Sequence, residues 1–285
     1  MAATIRGLLP PDWQAALDRL STEELRQAAE LRLRTGFPPT ILLDGREHAL
    51  PGAATVEASE LEALLGRAAE HSLYAVREAL SEGYLTLPGG HRIGICGTAV
   101  SNGDGVDNIK EISSLCIRIA RSIPGIGTAL AERVHSLEHS ALIIGPPGSG
   151  KTTLLRDAAR QLSDCFDRRV CIVDERGEIA AVHQGSPRLP VGRRTDVLTG
   201  FPKERGIELL LRAMDPEWIV LDEITRSADV EAMIRASYCG VWFLATAHAE
   251  SVEDLQRRPV YRTLSESGLF QTIWGLDRAR RGRLL

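Results

Sequence analysis

The chain has 285 residues, 44% of them hydrophobic and 25% charged, with a formal net charge of −4. That length favours two domains, each able to bury its own core, and no apolar stretch approaches the roughly 20 residues that a membrane-spanning helix requires. The acidic balance supplies no global attraction to nucleic acid or anionic lipid. Cys96, Cys116, Cys165, Cys171 and Cys239 are odd in number and lack any CxxC spacing, which argues against a disulfide framework or a zinc cluster. Residues 1–11 lack the sustained apolar core of a secretory signal, so a cytoplasmic location is expected.

Residues 1–124 read as a small α+β domain. Ser21-Thr22-Glu23-Glu24 is a capping-box arrangement that opens a helix, and Leu25, Ala28, Ala29, Leu31 and Leu33 approximate helical spacing until Gly36–Pro39 stops it. Thr40–Leu43 before Asp44-Gly45 reads as a strand entering a hairpin. Helical segments are expected over 58–70 and 72–80. Tyr84–Leu87, the turn Pro88–Gly90 and His91–Val100 suggest paired strands, 101–107 a polar loop, and Ser114–Ala120 a further strand. Pro124-Gly125-Ile126-Gly127 is the linker candidate.

Residues 125–285 alternate strand and helix, which points to an α/β domain with a mostly parallel sheet. The expected strands are Ala141–Ile144, Val170–Val173, Trp218–Leu221 and Val241–Ala245. Directly after the first of them stands Gly145-Pro146-Pro147-Gly148-Ser149-Gly150-Lys151-Thr152, a complete phosphate-loop motif, followed by the helix-like run that Thr153 begins. Glycines let backbone N–H groups curl around an anion, and the following helix turns its positive end to the same phosphates. Lys151 supplies a point charge for the β- and γ-phosphates, and the Thr152 hydroxyl is placed to ligate the Mg²⁺ that bridges them. Lys151 is one of three lysines among 34 basic residues, so its presence in the loop fits that chemical role.

Trp218-Ile219-Val220-Leu221-Asp222-Glu223 is a buried-strand pattern ending in two acids at the carboxyl edge of the sheet. Asp222 is placed to hold Mg²⁺, and Glu223 to orient or deprotonate the attacking water. Val170–Arg176 repeats the plan, so Asp174 and Glu175 are expected to face the same cleft, and Glu175 rivals Glu223 as catalytic base. Thr246 and His248 follow another strand, where a γ-phosphate-sensing residue belongs, although a hydrogen bond to a neighbouring strand would explain His248 equally well. Arg92, Arg118 and Arg121 are candidates for an arginine donated across a subunit boundary. The segment from His183 to Gly200 has the composition of a long mobile loop, either nucleotide-responsive or a passive connection.

The order of phosphate loop, Asp174-Glu175-Arg176, Leu211–Glu217 leading into Trp218–Glu223, and Thr246-Ala247-His248 resembles the ATPases of type II and type IV secretion systems, and more closely the stage III sporulation protein AA family. The resemblance implies a RecA-like P-loop NTPase domain with Gly145–Thr152 as Walker A motif, Asp222 and Glu223 as Walker B acids, Glu175 in the acidic box and His248 in the histidine box. It further implies a homo-oligomeric ring, a hexamer, that binds ATP and Mg²⁺. Such a ring hydrolyses ATP to energise membrane-embedded channel proteins during sporulation, attached peripherally to the membrane through them. One departure is that Glu223-Ile224-Thr225-Arg226 delays by one position the arginine that secretion ATPases place after Walker B, so no role passes to Arg226. A nucleic-acid-dependent RecA-like motor is the alternative, but 5% aromatic content and the lack of a basic stripe give it little support. A nucleotide-binding scaffold without turnover is a third reading, against which Glu223 argues.

Overall fold

Ser21 and Glu24 cap one another: the Glu24 backbone N–H donates to Ser21 Oγ at 3.2 Å, and the Ser21 N–H donates to the Glu24 carboxylate at 2.7 Å. The computed structural model describes residues 3–43, 45–70, 72, 80–81, 83–87, 89–101, 106–120, 122–182, 185–277 and 282–285. They form two compact units, Met1–Ala120 and Arg121–Leu285. The division falls between 120 and 121, where the sequence reading placed it between 124 and 125.

In the first unit, helices α1 (Ala3–Leu8), α2 (Pro11–Leu17), α3 (Thr22–Gln27) and α4 (Ala58–Ala68) accompany a six-stranded sheet. Its strands are β1 (Glu30–Arg34), β2 (Thr40–Leu43), β3 (Arg46–Ala49), β4 (Tyr84–Thr86), β5 (Arg92–Ser101) and β6 (Val106–Arg118), in the spatial order β3-β2-β1-β6-β5-β4. Every neighbouring pair is antiparallel. The helical spacing read through Leu31 and Leu33 is corrected. Ala28 leaves the helical backbone at ψ 116°, and Glu30–Arg34 alternates instead, burying Leu31 and Leu33 between outward charged residues. Helices α1 and α2 were not anticipated. Pro11 starts α2 at a position where its missing N–H costs nothing, and the two helices bury Ile5, Trp13 and Leu17 fully. Positions 73–79 of the expected helix, Asp44, Pro88 and 102–105 lie outside the described residues.

The second unit is a seven-stranded sheet of β7 (Ala141–Ile144), β8 (Val170–Asp174), β9 (Thr195–Thr199), β10 (Trp218–Leu221), β11 (Trp242–Ala247), β12 (Thr272–Leu276) and β13 (Gly282–Leu284). The spatial order is β13-β12-β7-β11-β10-β8-β9, parallel throughout except at β12–β13. Alternate strand residues serve opposite faces, as strand geometry requires. Cys171, Val173, Ile219, Leu221, Phe243 and Ala245 join one apolar cluster with helices α7 (Lys203–Ala213), α8 (Ser227–Ser237) and α10 (Pro259–Glu266). Val170, Ile172, Trp218, Val220 and Leu244 join the other, with α5 (Thr128–Leu137) and α6 (Lys151–Cys165). A short helix α9 (Val252–Arg257) follows β11. Burial of both faces explains why these strands are apolar runs without polar alternation.

The segment read as a mobile loop from His183 to Gly200 holds strand β9, paired in parallel with β8, and buries Leu189 and Val191. Gly192 sits at φ +104° with Ser163 only 2.4 Å from where a Cβ would stand, and the Arg193 and Arg194 N–H groups bond Asp164 and Ser163 on α6 at 2.8 and 2.7 Å. The segment is therefore stapled to the helix that begins in the phosphate loop. His183 itself lies outside the described residues.

Candidate functional site

β7 delivers the chain at Ile144 into the glycine-rich turn, and α6 takes it away from Lys151. Gly148 at φ +75° and Gly150 at φ +95°, the N-cap of α6, adopt a left-handed backbone that side chains with a Cβ rarely enter. Ser149 is buried with its hydroxyl unpartnered, and it faces Gly145, where a Cβ would come within 2.7 Å of Ser149 Oγ. An orphan donor in a turn of amides at a helix N-terminus is the chemistry of an anion site. Pro146 and Pro147 form the outer lip, and Thr153 continues the first turn of α6 half-buried.

The Lys151 ammonium is buried and donates to the carbonyls of Gly145 at 3.0 Å and Pro146 at 3.1 Å, and to His248 Nδ1 at 3.0 Å. Burial lowers its pKa from the usual lysine value, while Asp222 and Glu223 oppose that shift. Because Nδ1 accepts, the ring proton of neutral His248 lies on Nε2, which donates to Glu223 Oε1 at 2.7 Å. The other Glu223 oxygen, Oε2, takes the Arg176 guanidinium at 3.1 Å.

Interposing β11 between β7 and β10 lets residues from three strand ends meet. Thr152 Oγ1 donates to Asp222 Oδ2 at 2.8 Å. Thr246 Oγ1 donates to Asp222 Oδ1 and accepts the Glu223 N–H at 2.8 Å. That last bond helps hold Glu223 at φ +47°, a backbone conformation uncommon for a residue with a Cβ. Thr246 is wholly buried, and its hydroxyl is bonded to both the Asp222 carboxylate and the Glu223 N–H.

Asp174, Glu175, Arg176, Glu178, Lys203, Asp222 and Glu223 line one narrow cleft. Asp174 is nonetheless committed elsewhere: its buried carboxylate accepts the N–H groups of Glu178 at 2.8 Å, Ile179 at 3.1 Å and Ala180 at 2.8 Å. Burial raises its pKa, and those backbone bonds oppose the rise. Glu175 is held by the buried ammonium of Lys203 and by Arg226 at 3.2 Å. Arg226 also reaches Glu204 at 3.1 Å and Asp229 at 3.4 Å, which gives the displaced arginine a bridging place that its spacing did not suggest. The contacts of Arg176 and Thr246 with the Glu223–Asp222 pair, and of Lys203 with Glu175, were not read from the sequence, because spacing carries no signal for contacts between separate strand ends. A second cleft, of about 470 Å³, is lined by Pro146, Pro147, His248 and residues of the segment holding α9. Arg92, stacked 3.6 Å from the Tyr84 ring, and Arg118, 3.6 Å from Glu30, belong to the first unit, and Arg121 lies outside the described residues.

A family model described as "Sporulation stage III, protein AA" matches residues 4–284. Over 281 residues the chain is 37% identical to stage III sporulation protein AA of Bacillus subtilis (strain 168), spanning 97% of this chain and 91% of that protein. Among solved structures, the ATPase DotB of Legionella pneumophila superposes with a TM-score of 0.63 at 18% identity, covering 97% of this chain and 80% of that one. The pilus retraction motor PilT, solved with ADP, gives a TM-score of 0.60 at 17% identity over 89% of this chain and 75% of that one. At such identities the likeness is one of fold: an α/β, RecA-like P-loop NTPase domain with a smaller α+β N-terminal domain.

Proposed function

This chain belongs to the sporulation stage III protein AA family, and from that premise we propose that it is a Mg²⁺-dependent ATPase that works as a homo-oligomer, a hexamer. Its hydrolysis drives movement between an N-terminal domain and a motor domain, and energises membrane-embedded proteins of a secretion-like channel during sporulation. It acts from the cytoplasm, at the membrane only through those partners, and without nucleic acid. The sporulation role is borrowed from the Bacillus subtilis relative's name, and the ATPase and motor roles from the descriptions of DotB and PilT.

The observation that carries this reading is one hydrogen-bonded string joining the phosphate loop to the strand-end acids: Arg176–Glu223–His248–Lys151 on one side and Thr152–Asp222–Thr246 on the other. Lys151 and the loop amides of Gly145–Thr152 take the phosphate tail, with Thr153 in the same helix turn. The Thr152 hydroxyl and the Asp222 carboxylate are hard oxygen donors 2.8 Å apart, a pair that suits Mg²⁺, which takes few protein ligands beside phosphate and water. Bound there, the ion would neutralise charge developing on the phosphates.

Glu223 orients and deprotonates the attacking water, and His248 fixes the Glu223 carboxylate through Nε2. Glu175, matched by two cations, serves the arrangement of the cleft and is not the base. Turnover measured on wild type, Lys151→Ala and Glu223→Gln, over a dilution series with mass determination, tests the proposal. Wild type is expected to lose specific activity on dilution to monomer, and both variants to be inactive. Undiminished activity of the monomer, or of Glu223→Gln, overturns it.

A further inference from the structure

We propose that Arg176 is a charge-stabilising arginine of this site, supplied by the chain to its own nucleotide: it pairs with Glu223 and transfers to the terminal phosphate of a bound triphosphate. The inference rests on the ATPase reading above and adds a residue to it.

The cleft between β8 and β10 is dominated by carboxylates. Asp174, Glu175, Glu178, Asp222 and Glu223 line it against two cations, Arg176 and Lys203. A phosphate tail brings further negative charge to the same edge, so a cation must be able to move toward it. Lys203 cannot. Its side chain is 6% exposed and is committed to Glu175, and drawing it out would break a largely buried ion pair and leave that carboxylate to Arg226 alone. Nearby Arg226 bridges Glu175, Glu204 and Asp229, and leaving would break all three contacts. Arg156 is buried and spent on the carbonyls of Glu178 and Ile179.

Arg176 differs from each of these. Its side chain is 58% exposed, and its ion pair is the single contact with Glu223 Oε2 at 3.1 Å. A half-exposed pair of this kind is worth little in stability, so exchanging it costs little. The flanking chain is anchored on both sides: Glu175 by Lys203 and Arg226, and Glu178–Ala180 by the Asp174 carboxylate. Gly177, at φ +69°, is the turn between the anchors. Arg176 can thus swing while its base stays fixed.

The planar guanidinium fork suits a carboxylate and a phosphate alike, so the exchange keeps the same kind of bond. It also has a consequence for Glu223. With Oε1 on His248 and Oε2 on Arg176, each carboxylate oxygen of Glu223 already accepts one hydrogen bond. Departure of Arg176 leaves both lone pairs of Oε2 to water, while His248 continues to hold Oε1. Water activation is then favoured by the phosphate that the water attacks.

The test is calorimetric titration of the full chain with Mg·ADP and with an Mg·ATP analogue whose β–γ bridge resists hydrolysis, for wild type, Arg176→Ala and Arg176→Lys. Thermal unfolding of all three is recorded alongside. Arg176→Ala is expected to weaken the analogue by about tenfold or more while leaving ADP affinity and unfolding temperature unchanged; Arg176→Lys recovers part of the loss. Equal weakening of both nucleotides, or no change in either, overturns the assignment to the terminal phosphate. Failure of folded wild type to bind either nucleotide overturns the ATPase reading itself, and this inference with it.

Discussion

Thr246→Val replaces a fully buried hydroxyl by a methyl of the same shape, and it removes two hydrogen bonds from the centre of the acid cluster. The first is charge-assisted, from Thr246 Oγ1 to Asp222, and the second is accepted from the Glu223 N–H at 2.8 Å. A bond to a charged group contributes about 1.5–3 kcal/mol and a neutral one about 1 kcal/mol. Part is recovered, because the Glu223 N–H also reaches Asp222 Oδ1 at 3.1 Å and Asp222 Oδ2 retains Thr152. The net loss is then about 2 kcal/mol. For a unit of this size that lowers the unfolding temperature by about 4–8 °C. Turnover suffers further, since Asp222 and Glu223 lose their common anchor, and misplacing a reacting group by an ångström can cost about 10²-fold. Thr246→Ser keeps the hydroxyl and should retain most of both properties. Calorimetric unfolding and steady-state ATPase rates measure the two effects. If Thr246→Val matches Thr246→Ser in stability and rate, the positioning role is wrong.

Glu223→Gln should reduce ATP turnover by about 10²-fold or more with little change in unfolding temperature. Glu175→Gln should instead strip the buried Lys203 of its partner and destabilise the protein by about 2 kcal/mol, a contrast read from rates and unfolding measured together. Gly127→Ala places a Cβ 2.3 Å from the Ala158 backbone nitrogen on α6, an overlap with main chain that should destabilise by about 3 kcal/mol in denaturant titration. In the first unit, hydrogen bonds from Arg34 and then Thr40 lower the Glu47 pKa from 4.5 to about 2. A depressed folded pKa gives stability that is present above pH 4.5 and lost as pH falls toward 2. Glu47→Gln should therefore weaken the unit modestly at pH 7 and match wild type near pH 2, as followed by circular dichroism.

Where one physical signal dominated, the sequence was sufficient. Ala141–Ile144 and Trp218–Leu221 are apolar on both faces because helices cover both, and each ends abruptly at the residues that carry chemistry. Gly148 and Gly150 advertised the left-handed turn, and Ser21 with Glu24 advertised a helix start. The misreadings have equally local causes. Leu25 to Leu33 satisfied helical spacing and strand alternation at once, and tertiary pairing of β1 with β2 and β6 decided for the strand. Thr195–Thr199 is too short and polar to stand out from a loop until it pairs with β8. β12 and β13 were not anticipated at all. In the candidate site, the acids and the loop were legible residue by residue. The bonds among them were not, because Thr152 to Asp222, Lys151 to His248 and Arg176 to Glu223 each join distant parts of the chain.

The most direct test of nucleotide binding at the phosphate loop is calorimetric titration of folded wild-type protein and Lys151→Ala with Mg·ATP. Saturable binding to one site per chain in wild type, greatly weakened in Lys151→Ala while the fold is retained, is the predicted result. Absence of binding in wild type, or equal affinity in the variant, would contradict the assignment of Gly145–Thr152 as the seat of the triphosphate.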